Sequence, residues 1–134
     1  MSAMSNALEN ELINYYFRNQ SQAIAPVAQL YVALSTASVS ESATGASMTE
    51  CTGTSYARQA VTFAAPSNGA TSNTGDLTWT AGAADWGTLT SVYVVDSSSG
   101  AGNVLVGADL SSTATLGSGD SLTIATGDLD VTMA

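Results

Sequence analysis

From residue 30 onward the chain alternates with a period of two. In AQLYVALST, Leu30, Val32 and Leu34 point one way and Tyr31, Ala33 and Ser35 the other, which is the pattern of a half-buried β-strand. Strand-sized units of this kind follow to the end, each stopped by a turn signal. YARQAVTF runs into Pro66, Asn68-Gly69 and Asn73, and DLTWT sets Leu77 and Trp79 against threonines. WGTLTSVYVVD has the length and apolarity of a central strand and stops at SSSGAG. NVLVGADL, STATL and, after the turn GSGD, SLTIAT come next. The closing DLDVTM turns Leu129, Val131 and Met133 toward the core and reads as the hairpin partner of SLTIAT. Threonine and valine dominate these units, as a pleated, partly buried surface prefers. The pattern predicts a mainly β fold: a β-sandwich or jelly roll of seven to eight strands.

Two stretches break the pattern. Residues 37–54 carry Ser, Thr, Gly and Glu with few large apolar groups, and they read as a long, mobile loop. The N-terminal SNALENELINYYFRNQ instead repeats Leu8, Leu12, Tyr15 and Tyr16 at helical spacing, with Ile13 and Phe17 widening the stripe. This predicts an amphipathic helix over residues 4–19. Asn6 and Glu9 have the spacing of a capping box, and Arg18 lies near the negative end of the helix dipole. With no internal repeat and no second compositional zone, the chain divides into a helical arm, residues 1–25, and one β-sandwich domain, residues 26–134. A sandwich covers its own core, so the helix must bury its aromatic stripe either on its own domain or on a neighbouring subunit.

Composition narrows the function. The net charge is −9, with two cations, Arg18 and Arg58, and no lysine or histidine. Two arginines cannot neutralise a row of phosphates, so nucleic acid and anionic membrane surfaces are poor partners. Only 10% of residues are charged, against the usual ~25%, so Ser, Thr, Asn, Gly and Ala must cover the outside, as suits a protein that packs against others. The chain carries no apolar run of membrane-spanning length and no basic n-region of a signal peptide. The single cysteine, Cys51, sits in a polar stretch and reads as an incidental thiol.

Catalytic groups are scarce. Without histidine there is no Ser-His-Asp or Cys-His arrangement and no histidine-ligated metal, and without lysine there is no Schiff base. Asp128 and Asp130 share one face of the last strand, where a solvated face is the simpler reading than a dyad or a calcium site. The other aspartates fall at strand ends, where Asp is a routine turn residue. Trp79 and Trp86 flank the turn TAGAAD, and a pair so placed belongs to the core or anchors an interface. No catalytic, metal or cofactor residues are assigned. The candidate interface residues are Leu8, Leu12, Tyr15, Tyr16, Phe17, Tyr56, Arg58, Trp79 and Trp86.

The stretches SNALENELINYYF, APVAQLYVALST, GTSYARQAVTF, TWTAGAADWGTLTSVYVVD and GDSLTIATGDLDVTMA occur in that order. They resemble a family of small structural proteins of tailed bacteriophages, cement-like and often labelled tail-fibre proteins. Members open with an ALEN-type helix, carry YVAL and YAR-AVTF motifs, and place WG before a long apolar strand. The resemblance runs over nearly the whole chain, apart from the variable stretch between Leu34 and Tyr56. It implies a non-enzymatic virion protein made in the bacterial host cytoplasm. Its expected place is the outer capsid surface, as a dimer or trimer decorating the major capsid protein. A tail, fibre or baseplate component is the alternative, and a host-surface binding module the third.

Arg58 then has a reading. In an alternating strand, Tyr56, Arg58, Ala60 and Thr62 share the outer face while Val61 and Phe63 face the core. Arg58 is expected beside Tyr56 on that outer face, held bidentately by an aspartate of its own fold or used in a subunit contact.

Overall fold

A computed structural model describes residues 3–133. The alternation at residues 30–35 becomes strand β2 (Leu30–Ser35). It pairs antiparallel with β3 (Gln59–Val61) on one side and with β6 (Gly87–Val95) on the other. Beyond β6 lies the long β7 (Val104–Leu116), and beyond β7 the short β1 (Ala3–Met4), giving a five-stranded sheet of order β1-β7-β6-β2-β3. Two shorter antiparallel ladders complete the β structure: β4 (Ala70–Ser72) with β9 (Asp130–Thr132), and β5 (Leu77–Thr80) with β8 (Ser121–Ile124). Among the described residues one helix, α1 (Asn6–Phe17), stands with these strands. The protein is therefore mainly β, with antiparallel sheets and a short N-terminal helix.

The large sheet is buried on both faces. On one, Val32, Leu34, Val92, Val94 and Val106 join Leu77, Trp79, Ile124 and Leu129 from the two ladders. On the other, Ala33, Tyr93, Val95 and Val104 pack with Ala43 and Met48, and Val39 and Tyr31 lie against them. Residues 37–54 thus form a packed layer, which corrects the expectation of a free loop and of a half-buried β2. Small residues interspersed with a few apolar ones can cover a sheet without showing a period, so the pattern hid this role. Cys51 likewise belongs to the first cluster at 3% exposure, and burial pushes its thiol pKa up.

The strand pairing at the C-terminus also differs from expectation. β8 pairs with β5 and β9 with β4, so SLTIAT and DLDVTM do not form a hairpin with each other. Asn73, which is 2% exposed, braces this arrangement. Its Oδ1 accepts from the N–H groups of Gly127 (3.1 Å) and Leu129 (2.9 Å), and its Nδ2 donates to the carbonyls of Gly75 (2.8 Å) and Ala125 (3.0 Å). One side chain thereby holds the 125–129 bend, and the strands on either side of it continue as one antiparallel ribbon, 70–80 against 121–132. Asn68-Gly69 behaves as the sequence predicts. Both residues have positive φ (51° and 75°), the form of a type I′ turn, and they close the hairpin that leads from β3 into β4.

Helix α1 starts one residue earlier than the Asn6/Glu9 spacing implies. Ser5 is the N-cap: its Oγ accepts from Leu8 N at 3.2 Å, and its own N–H donates to Leu105 O at 2.8 Å. The hydroxyl also donates to Val104 O, so the cap that begins the helix fastens it to β7. The helix ends at Phe17, and Asn19 takes a left-handed φ of 52° beyond it.

Candidate functional site

Arg58 lies just ahead of β3, where residues 54–58 run through a turn. The alternation assumed for YARQAVTF begins only at Gln59, so it does not fix the direction of Arg58. The arginine points inward, with its side chain 1% exposed, which corrects the outer-face expectation. Its partner is Glu50 rather than an aspartate. Nε donates to Oε1 and Nη2 to Oε2, both at 2.8 Å, in the bidentate geometry that suits a guanidinium. Nη1 reaches Ser97 O and Oγ at 3.0 and 2.9 Å, and Nη2 reaches Gly100 O at 2.8 Å. One cation thus ties together the 37–54 layer, the approach to β3 and the β6–β7 turn. The hydrogen bonds to Glu50 hold the guanidinium pKa above its ordinary value.

The aromatic candidates near it are also internal. Tyr56 donates its hydroxyl to Glu50 Oε1 and accepts from Leu34 N, each at 2.9 Å. Burial is the main reason its phenol pKa lies well above the tyrosine range. Its ring meets Trp86 edge-on, centroids 5.6 Å apart. The indole N–H groups of Trp86 and Trp79 donate to Thr54 O and Ala57 O, each at 2.9 Å. With Trp79 at 2% and Trp86 at 6% exposure, the tryptophans are core side chains whose polar edges are satisfied, and neither is presented as a surface anchor. Gly53 lets the backbone lie against Trp86, since a Cβ there would sit 2.0 Å from Cδ1.

The helix candidates separate into two groups. Leu8 and Leu12 are half-buried, and with Ile24, Pro26, Val27 and the buried Glu11 they line a cavity of 270 Å³ between α1 and the 22–27 segment. Glu11 Oε1 accepts from Ala23 N at 2.6 Å, holding that segment on the helix. Ile13, Tyr16 and Phe17 repeat the i, i+3, i+4 spacing of Leu8, Glu11 and Leu12 five residues on, so they lie roughly 140° round the helix, at about 100° per residue. They are 52, 72 and 85% exposed. Tyr15, at 42% exposure, flanks the packed side and meets Tyr16 edge-on at 5.0 Å. The helix therefore packs in cis along one stripe and presents a second apolar stripe outward.

Elsewhere the surface is ruled by hydroxyls. Thr78–Thr123 (3.0 Å), Thr80–Ser121 (2.7 Å) and Thr88–Thr115 (2.9 Å) bond across neighbouring strands, and Thr62–Thr74 does so just past the ends of β3 and β4. Each of the first three is a registered cross-strand pair. Residues 3–132 match the family model of the podophage GP4 fiber I protein gp80. The chain belongs to this family. A search of curated proteins finds no match. Membership makes the chain a phage structural protein, a virion component, and the match takes in α1, the Arg58–Glu50 cluster and the Asn73 bend together.

Sequence reasoning missed Glu50 and Asn73. Glu50 had one available signal: a nearly cation-free chain places an arginine close by in sequence, and a buried arginine requires a carboxylate. Asn73 read as a turn residue, and nothing local distinguishes a turn asparagine from one that holds a distant bend.

Proposed function

We propose that this chain is a non-enzymatic fibre subunit of a tailed-phage virion, attached through the exposed stripe of α1. The observation that carries the reading is that stripe. The helix already satisfies its packing through Leu8 and Leu12, yet it holds Ile13, Tyr16 and Phe17 in solvent. Large apolar side chains grouped at the surface are the usual anchors of a protein–protein contact. The fibre description of the family supports this placing. We read the two ladders laid over the five-stranded sheet as a sandwich, a rigid body suited to a mechanical part.

Decoration of the major capsid protein lattice is the second reading. The paired hydroxyls of the outer faces favour it, because a charge-poor surface can pack closely against a lattice with little charge to desolvate. Quantitative mass spectrometry of purified virions separates the two. A small copy number relative to the major capsid protein is the fibre result, and near-parity with it is the decoration result. Substitution of Ile13, Tyr16 and Phe17 by serine is expected to leave the fold intact by circular dichroism and to remove the protein from the particle. Retention at full copy number would refute attachment through α1. Light scattering on the purified chain tests for the dimer or trimer.

A further inference from the structure

We propose that the cleft between β7 and the β8–β9 side of the ribbon binds an extended, lysine- or arginine-bearing segment of another virion protein, added as a strand along the open edges. Only the partner's origin rests on the virion reading. The chemistry rests on the cleft.

The backbone is prepared for a strand. β1 covers the outer edge of β7 only at Val106 and Gly107. Past that point, among the described residues, no strand lies on the outer side of residues 108–112, and Leu110–Thr113 make no ladder pair with β6 either. β8 pairs only with β5, so its other edge is open as well. Unpaired strand edges are templates for a further strand. β1 shows that this edge of β7 accepts one antiparallel. Five residues along it span roughly 17 Å at about 3.3 Å each.

The side chains specify what the strand carries. The cleft measures 380 Å³, and Leu110, Leu122, Ile124 and Leu129 give it apolar walls. Asp109, Asp128 and Asp130 also line it, Asp109 with its Oδ1 already accepting from Val39 N at 2.7 Å. Among the described residues the one ion pair is Arg58–Glu50, so neither arginine of this chain answers Asp128 or Asp130. A strand sends alternate side chains to opposite faces. One that alternates apolar and basic residues would fill the cleft with the first set and meet its aspartates with the second. A second copy fits poorly: with a net charge of −9 and Arg18 as its one exposed cationic side chain, it would bring carboxylates against carboxylates. The three aspartates are not grouped closely enough to hold a metal ion.

The test uses the purified full chain and an eight-residue peptide alternating valine and lysine, with a valine–glutamate peptide as control. Binding is read by fluorescence anisotropy and by amide chemical shifts. Expected are saturable binding of the lysine peptide and shifts confined to residues 108–112 and 121–131. Affinity should fall roughly ten-fold in the Asp128→Asn/Asp130→Asn variant, as for the loss of complementary charge. N-methylation of alternate peptide amides should abolish binding. Four results would overturn the proposal: no binding at millimolar peptide, equal binding of the glutamate peptide, shifts centred on α1, or the same amides shifting with protein concentration alone. None of these outcomes bears on where the protein sits in the particle.

Discussion

The two arginines occupy opposite extremes of one small protein. Arg58 has a side chain 1% exposed and reaches Glu50, Ser97 and Gly100, closing three separate segments on one another. Arg18 lies exposed just past the last turn of α1 and bonds Asn14 Oδ1 at 2.7 Å, four residues back on its own helix. One cation is a structural component and the other a solvated helix-end charge. The neighbouring apolar groups follow the same division. Tyr56, Trp79 and Trp86 are consumed by the interior around Arg58, whereas Tyr16 and Phe17 beside Arg18 remain outside. The interior around Arg58 thus takes its aromatics into packing, and the helix end leaves Tyr16 and Phe17 in solvent.

The sharpest way to break the comparison is to truncate each arginine. Arg58→Ala strands Glu50 beside a hole, and a half-broken buried pair costs about 3 kcal/mol. Arg18→Ala should change stability by less than about 0.5 kcal/mol. Urea unfolding of both variants checks this, and equal losses would erase the contrast. Next in size is Asn73→Ala, which leaves the buried N–H of Leu129 without its acceptor. A loss of about 2 kcal/mol is expected, as for an unsatisfied buried group, with hydrogen exchange accelerated first at residues 125–130. Gly53→Ala drives a methyl into Trp86, and overpacking of this kind costs about 1–3 kcal/mol. Its thermal midpoint should fall while the Tyr16 and Phe17 environments stay unchanged by NMR.

The smallest effects are in pH. The folded-state pKa of Tyr56 is raised above its ordinary value of 10.0, chiefly by burial. Its contribution is complete below that value and is lost as pH rises past it, because the unfolded chain then ionises first. Tyr56→Phe should flatten the alkaline limb of the stability curve. Asp76 works in the other direction. Bonds from the N–H and hydroxyl of Thr126 depress its pKa, so its contribution is present above about 3.8 and fades on acidification. Asp76→Asn should soften the acid limb slightly.

Much of the fold was legible. The helix, β2, β5, β6 and the Asn68-Gly69 turn stand where the sequence places them, because each is set by neighbours within a few residues. The strand seen as NVLVGADL and STATL is one bulged strand, β7, whose register shift lies opposite Leu89 to Ser91. β1 and β4 went unseen, since two or three residues of Ala, Met, Thr and Ser carry no period. Of the candidate residues, those of the helix were legible as an apolar set, but their division into packed and exposed stripes was not. An apolar stripe wider than one contact face reads the same in sequence whichever edge is buried.

The sequence by itself determined a mainly β chain with a leading helix and almost no cations, because alternation, spacing and composition are local quantities. Tertiary structure alone decided that Arg58 turns inward to Glu50, that residues 37–54 cover a sheet, that Asn73 braces the bend before the last strand, and that Ile13, Tyr16 and Phe17 stay outside. Each of these depends on which distant groups meet. A hydrogen bond or a buried face is settled only when both partners are in place.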